Sequence, residues 1–121
     1  MTLVELYTAM GGDYGQACKV LRIEKLIDKH IRKFPDNDIF SGLVEGGKTM
    51  DGEKLFESSH AIKGVCANLG LTPIASLASE ICEEFRPGKE RKRSDPEVRS
   101  MIDEIMRLRA LAIEAIEAYS K

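Results

Sequence analysis

The 121-residue sequence lacks the features that mark membrane, secreted and nucleic-acid-binding proteins. No stretch approaches the roughly 20 apolar residues of a membrane span, and the first ten residues have neither a basic start nor a long apolar run. Lysine and arginine total 18 against 20 for aspartate and glutamate, a net charge of -2, which attracts neither nucleic acid nor an anionic membrane. The mostly basic run over 89–93 is interpreted as a solvated loop. We therefore expect a cytoplasmic protein with no nucleic-acid or membrane partner.

Disulfide and cofactor motifs are also missing. The three cysteines, Cys18, Cys66 and Cys82, are odd in number and form no C-x-x-C pair, which favours reduced, buried thiols. There is no Walker loop, G-x-G-x-x-G loop, G-x-S-x-G elbow, H-E-x-x-H motif or cluster of metal ligands. We therefore predict that the chain itself binds no cofactor and no metal.

What is present is a helical pattern along almost the whole chain. Apolar residues recur at helical spacing, and the alternating runs typical of strands are absent. The length predicts a single domain over 1–121. Four substantial helices are predicted, over 23–34, 52–69, 73–86 and from a cap at Ser94 to Tyr119, after short helices over 2–9 and 14–21. This is an all-α fold, an antiparallel up-down four-helix bundle with short extra N-terminal helices packed across it.

Local end signals refine this prediction. A short bridging helix over about 38–45 is expected to end at Gly46-Gly47, and the helix over 52–69 at a left-handed Gly70. Thr72 is expected to be the N-cap of the next helix, with Pro73 at its first position. Because the turn around Gly70 is tight, the two helices that it joins are predicted to form an antiparallel hairpin.

The helix over 52–69 carries two different faces. At 100° per residue one face is a core stripe, formed by Leu55, Ser58, Ile62, Cys66 and Leu69.

The opposite face contains His60, which projects about 140° from Leu55. Phe56, Lys63, Gly64 and Ala67 share its sector. Gly64 is unexpected there, because glycine inside a helix costs about 0.5–1 kcal/mol relative to alanine. Its place one turn after His60 leaves room for a partner to approach the ring. Spacing alone leaves two interpretations open, an exposed nucleophile and a surface histidine beside a tolerated glycine.

The other histidine, His30, falls within the apolar spacing of the helix over 23–34. A partly buried helix residue is the simpler interpretation of such a position, and we predict that rather than a metal ligand.

The segment from His60 to Leu71 closely resembles the signature of histidine-containing phosphotransfer (HPt) domains. That pattern has a histidine, a lysine three residues on, a glycine four residues on and a second glycine ten residues on. His60, Lys63, Gly64 and Gly70 match every position. The likeness is strongest over 51–84, and the opening Gly11-Gly12-Asp13-Tyr14 is similar to that of small stand-alone bacterial members.

The resemblance implies a phosphorelay intermediate of two-component signalling. His60 would accept a phosphoryl group from the phosphoaspartate of one receiver domain and pass it to another, with Lys63 offsetting the phosphoryl charge and Gly64 admitting the receiver. Phe56, Ala67 and His30 would contact the receiver. Such a domain has no ATP site and is not an autonomous enzyme, acts as a monomer, and relies on Mg²⁺ bound by the partner receiver.

The sequence has two alternative interpretations. The dimerisation domain of a histidine kinase also carries an exposed histidine, but its usual motif has an acidic residue directly after the histidine and a proline five residues on, where this chain has Ala61 and Val65. A phosphate-independent helical adaptor could bind receivers without transfer. The intact His60, Lys63 and Gly64 argue against that adaptor without excluding it.

Overall fold

The computed structural model describes residues 1–121 as an all-helical chain with no strand. Its helices are α1 (Leu3–Met10), α2 (Tyr14–Leu21), α3 (Glu24–Lys33), α4 (Ser41–Thr49), α5 (Gly52–Asn68), α6 (Thr72–Glu84) and α7 (Asp95–Tyr119). Two 3-10 turns, Phe34–Asp36 and Asp38–Phe40, connect α3 to α4. The predicted fold class is confirmed. None of the helices combines the length and the apolar character needed to cross a bilayer.

Helices α4 to α7 close the bundle. Helix α5 packs against α4 and α6, and α7 packs against the same two helices from the other side. Helices α4, α5 and α6 follow one another through short connections, which makes neighbours antiparallel, and α7 returns after the loop over 85–94 to pack between α6 and α4. Helix α1 lies on α7, and α2 lies on α3 and α5, across the bundle. The apolar side chains merge into a core of 25 buried residues.

The fourth bundle helix is α4, and not the helix beginning near residue 23. Glycines on α4 allow it to approach its neighbours closely: a Cβ at Gly42 would lie 3.2 Å from Ser58 Cβ, and one at Gly46 would lie 3.1 Å from Leu55 Cγ. The prediction that Gly46-Gly47 ends this helix is wrong. Both glycines are buried inside α4, which ends at Met50 in a left-handed conformation with φ 54°.

Several polar contacts join α3 to the C-terminal end of α7. Arg32 Nε donates to Asp28 Oδ2 at 2.9 Å, and Arg32 Nη1 donates to Ser120 Oγ at 3.2 Å. The Tyr119 hydroxyl donates to Asp28, while the Arg32 guanidinium lies 4.7 Å from the centre of the Tyr119 ring. Hydrogen bonds from Arg32 and Tyr119 lower the pKa of Asp28. These contacts hold the exposed side of α3 in place, while Ile27 and Ile31 anchor its other side in the core.

Most predicted helix starts are confirmed. The side chains of Asp13, Asp51 and Ser94 each accept a hydrogen bond from the backbone N–H three residues on. Thr72 is an exception, because it is the first residue of α6 and the preceding Leu71 makes no side-chain cap. Leu71 is only 2% exposed. The cap position therefore holds an apolar side chain that packs in the core, where the sequence predicts a polar cap.

The turn between α5 and α6 is closed over by the N-terminal segment. The Tyr7 hydroxyl donates to the Leu69 carbonyl at 2.7 Å, and the Asp13 N–H donates to the Gly70 carbonyl at 2.7 Å. Gly70 has φ 73°, as its predicted role requires, and a Cβ there would lie 2.3 Å from the Asp13 carbonyl oxygen. Glycine is therefore needed at this position for two reasons, the left-handed backbone and the contact with the α1–α2 corner.

The loop between α6 and α7 folds around one buried carboxylate. Glu84 is 7% exposed, and its Oε2 accepts the backbone N–H groups of Lys92 at 3.0 Å and Arg93 at 2.7 Å. The Arg91 guanidinium lies 3.5 Å away. Burial acts to raise the pKa of Glu84, but the two N–H donors and Arg91 outweigh it and the net shift is downward. The side chains of the basic run are thus mostly solvated, while hydrogen bonds to Glu84 order its backbone.

Replacing Gly70 by alanine should destabilise the protein more than replacing Gly88. Both glycines are left-handed, but a Cβ at Gly88 would meet nothing within 4 Å. Gly88→Ala should cost about 1–2 kcal/mol for the backbone alone. Gly70→Ala should cost at least about 1 kcal/mol more, because of the overlap with Asp13. Urea unfolding of both variants measures this, and equal losses would contradict the close contact.

The Glu84 contacts should make stability fall in acid. Because folding lowers the Glu84 pKa, its contribution is present above the ordinary glutamate value of about 4.3 and is lost as the pH falls through the folded value. The free-energy difference between wild type and Glu84→Gln, measured by urea unfolding from pH 7 to pH 3, should therefore shrink towards low pH. Glu90→Gln, at an exposed position of the same loop, is the control. A difference independent of pH would contradict this account.

Candidate functional site

Helix α5 has the two faces that its sequence predicts. All five residues of the core stripe are buried, and so is Ser59. His60 and Gly64 are exposed, while Phe56, Lys63 and Ala67 are half-buried beside them. The predicted exposure of His60 is confirmed. We call these five residues the histidine face.

Two buried serines on the other side of α5 are satisfied within the helix. Ser58 Oγ donates to the Lys54 carbonyl at 2.8 Å, and Ser59 Oγ donates to the Phe56 carbonyl at 3.1 Å. Because these hydroxyls have partners in their own helix, their burial leaves no donor unpaired. The small side chain of Ser58 also accommodates the close approach of α4 at Gly42.

The surroundings of the His60 ring differ in the two directions along α5. One turn before it, the Phe56 ring has its centre 6.0 Å from the imidazole centre, with the two planes inclined by 37°. One turn after it, a Cβ at Gly64 would meet nothing within 4 Å. The imidazole is therefore supported by an aromatic ring on one side and open to an approaching molecule on the other.

Lys63 is placed to act on an anion near the ring. It lies three residues after His60, the spacing at which helix side chains are neighbours. None of the ion pairs of the molecule involves Lys63 or His60. The ammonium group is therefore not committed to a carboxylate and can offset negative charge beside the imidazole. No group of three or more His, Cys, Asp or Glu side chains converges as a metal site.

His30 is exposed, and the prediction that it would be partly buried is wrong. Helix α3 turns Ile27 and Ile31 into the core, which leaves His30 at the edge of a surface cavity of about 430 Å³. Val65 and Asn68 of α5 line the same cavity. The structure thus places His30 beside the C-terminal half of α5, in a cavity that His60 itself does not line.

One comparison with known proteins found a match. A family model described as "Hpt domain" matches residues 21–118, from the end of α2 almost to the end of α7. The chain belongs to the Hpt domain family. The resemblance found in the sequence is therefore confirmed. Neither a curated protein nor a solved structure matches the chain significantly.

Hpt domains are phosphotransfer carriers of two-component phosphorelays and interact with receiver domains; they are not autonomous enzymes. The match spans α5 as well as the helices that enclose it, so the histidine face lies wholly inside the Hpt domain. The exposed imidazole thus lies in a domain whose family carries out phosphotransfer.

Sequence reasoning missed one neighbour of this site, Arg86. Its guanidinium carbon lies 5.8 Å from the centre of the Phe56 ring. Its Nε and Nη2 donate to Glu83 Oε1 at 3.1 and 2.5 Å. Lys89 Nζ lies 3.4 Å from the other oxygen of Glu83. These hydrogen bonds, that from Arg86 first, lower the pKa of Glu83 to about 2.

No local motif contains Phe56 and Arg86 together, because one lies on α5 and the other just after α6. A signal was nevertheless available in the predicted antiparallel hairpin. Counting back equally from the turn at Gly70 places the beginning of α5 opposite the end of α6. The type of side chain at that end, and its contact with the ring, required the structure.

Proposed function

We propose that this Hpt domain is a phosphorelay intermediate and that His60 is its phospho-acceptor. The observation that carries the proposal is the histidine face, where an exposed imidazole has an uncommitted lysine at one flank and open space one turn on. An acceptor must meet the active site of another protein, so it needs exposure on a rigid element. Helix α5 supplies this, because its other face is anchored in the core.

The chemical step is a direct displacement at phosphorus. The lone pair of the neutral imidazole nitrogen, Nε2 by analogy with the family, attacks the phosphorus of the receiver's aspartyl phosphate in line. A nitrogen–phosphorus bond forms as the phosphorus–oxygen bond breaks, and its electron pair remains on the aspartate carboxylate. The proton on the other ring nitrogen stays, so the phosphorylated ring is cationic. The same displacement in reverse passes the phosphoryl group to a second receiver.

Two neighbours of His60 on the histidine face act on this step directly. Lys63 offsets the charge of the phosphoryl oxygens, a favourable charge-assisted contact. Gly64 removes the side chain that would otherwise stand where the receiver approaches. Because the described residues offer no metal site of their own, we assign the Mg²⁺ of the transfer step to the receiver, where it would neutralise the charge developing on the phosphoryl group.

The receiver-contact surface extends from Phe56 past Ala67 to His30. Phe56 and Ala67 are half-buried, so a partner that covers them removes apolar surface from water. The cavity beside His30 combines an apolar floor that includes Phe34 and Val65 with a polar rim, a composition suited to an interfacial side chain.

We also place the protein in the cytoplasm and as a monomer. The three cysteines are free, with Cys66 and Cys82 buried, which suits a reducing compartment. The monomer is the state that the resemblance to Hpt domains implies. With a net charge of -2 the protein has no general attraction to nucleic acid, so partner recognition depends on local features of its surface.

His60→Gln should abolish phosphoryl acceptance and leave stability almost unchanged, because an exposed side chain carries little packing. The purified protein is incubated with a radiolabelled phospho-receiver and Mg²⁺, and the product is tested for an acid-labile, base-stable phosphoryl group. Label is expected on the wild type only. The matched control is Ala110→Gln, at an exposed site on α7 away from the histidine face, which keeps the acceptor and should retain label.

Two outcomes would contradict the proposal. Label on His60→Gln equal to that on the wild type would place the acceptor elsewhere. If a receiver binds the wild type but transfers nothing, the protein is the phosphate-independent adaptor instead.

Gly64→Gln should slow transfer without destabilising the fold. The site is open, and glycine is a poor residue inside a helix, so the free energy of unfolding should be unchanged or rise by about 0.5–1 kcal/mol. The transfer rate from a phospho-receiver should fall because the new side chain stands in the approach path. Ala110→Gln, at an exposed site on α7 across the bundle, is the control. Undiminished transfer in Gly64→Gln would refute the clearance role.

A further inference from the structure

The His60 ring belongs to a stack that begins on the neighbouring helix. Glu83 holds Arg86, the Arg86 guanidinium lies near the Phe56 ring, and Phe56 lies beside the imidazole. The separations are 5.8 Å from the guanidinium carbon to the Phe56 centre and 6.0 Å between the two ring centres. The stack thus connects the end of α6 with the proposed phospho-acceptor on α5.

The first consequence concerns orientation. An exposed histidine on a helix can move between staggered rotamers unless a neighbour restricts it. Phe56 is half-buried and lies against the imidazole. Arg86 in turn restricts Phe56, and two hydrogen bonds to one Glu83 oxygen hold the guanidinium itself. The conformation of the ring therefore depends on a residue that does not touch it.

The second consequence concerns charge. Arg86 and Lys89 share the single carboxylate of Glu83, so this cluster keeps a net positive charge. Lys63 stands three residues after His60, and Arg86 lies beyond Phe56 on the other side. Lys63 and the cluster around Glu83 are thus cations near this end of the bundle, while Glu57, three residues before His60, is an exposed anion between them. In open solvent these charges are largely screened, so with a small donor and no docked receiver Arg86 acts through the orientation of the ring.

We propose that Arg86 is a positioning residue for phosphotransfer, which holds Phe56 against the His60 imidazole. This inference rests on the proposed function. Arg86 acts through Phe56 and is not itself a nucleophile or a proton donor in the step.

A purely structural role for Arg86 predicts that its loss lowers the stability of the protein, whereas a positioning role does not. Its ion pair with Glu83 is at the surface, with side-chain exposures of 46% and 44%, and such pairs contribute little to stability. Loss of Arg86 should therefore leave the unfolding transition unchanged. An effect on transfer without an effect on stability separates positioning from structural support.

The test compares Arg86→Ala and Arg86→Lys with Arg107→Ala as a matched control. Arg107 forms the same type of exposed pair, with a glutamate three residues before it, on α7. Each variant is phosphorylated by a phospho-receiver with Mg²⁺, and separately by phosphoramidate, a small phosphoryl donor that needs no docking surface. With both donors Arg86→Ala should react about two- to fivefold more slowly, from the strength of a cation–aromatic contact at an exposed site.

The kinetic parameters and the conservative variant sharpen the test. With the receiver, the loss should appear in kcat more than in KM, because the interaction acts on the reacting ring rather than on general binding. Arg86→Lys keeps the charge without the planar guanidinium and should recover only part of the rate. Arg107→Ala should match the wild type.

The outcomes distinguish this inference from the proposed function. If the wild type accepts a phosphoryl group and Arg86→Ala reacts equally fast, the positioning role is wrong and the phosphorelay function stands. A loss with the receiver alone, and none with phosphoramidate, would make Arg86 a docking residue and also overturn the inference. If the wild type accepts from neither donor, the proposed function itself fails.

Discussion

The burial of one face of α5 is the constraint on which the site depends. Helices α4 and α6 enclose α5, and the glycines of α4 reduce the distance between the two backbones until Gly42 faces Ser58 and Gly46 faces Leu55. A helix packed so closely cannot rotate about its axis without overlap. The orientation of the histidine face towards solvent is therefore a consequence of packing on the opposite side, at residues that take no part in the chemistry.

The turn at Gly70 determines how α5 and α6 lie along one another. The Asp13 N–H bonds to the carbonyl of Gly70, and Tyr7 bonds to the carbonyl of Leu69, so the N-terminal segment holds the turn in one conformation. Two helices that leave a fixed turn have a fixed relative register. That register brings Arg86 to Phe56, and thereby a residue just after α6 into the environment of His60. Short N-terminal helices outside the bundle thus contribute to the site.

Particular residues show where sequence reasoning succeeded and where it could not. The exposure of His60, the left-handed Gly70 and the cap at Ser94 follow from periodicity and local backbone preferences, and the structure confirms them. Gly46 carries an equally strong local signal for a helix end, yet α4 continues through it because the absence of a side chain is needed for packing. His30 lies within the apolar spacing of its helix yet is exposed, because Ile27 and Ile31 face the core and leave His30 beside a surface cavity.

The sequence by itself determined the helical class, the division of α5 into a buried and an exposed face, and the motif that links the chain to Hpt domains. These properties depend on residues within one or two helical turns, and local spacing is enough to predict them. Only the tertiary structure decided that α4 completes the bundle, that Glu84 orders the basic loop, and that Arg86 reaches Phe56. Each of those contacts joins segments that the fold brings together, and their geometry depends on interhelical packing that no local pattern specifies.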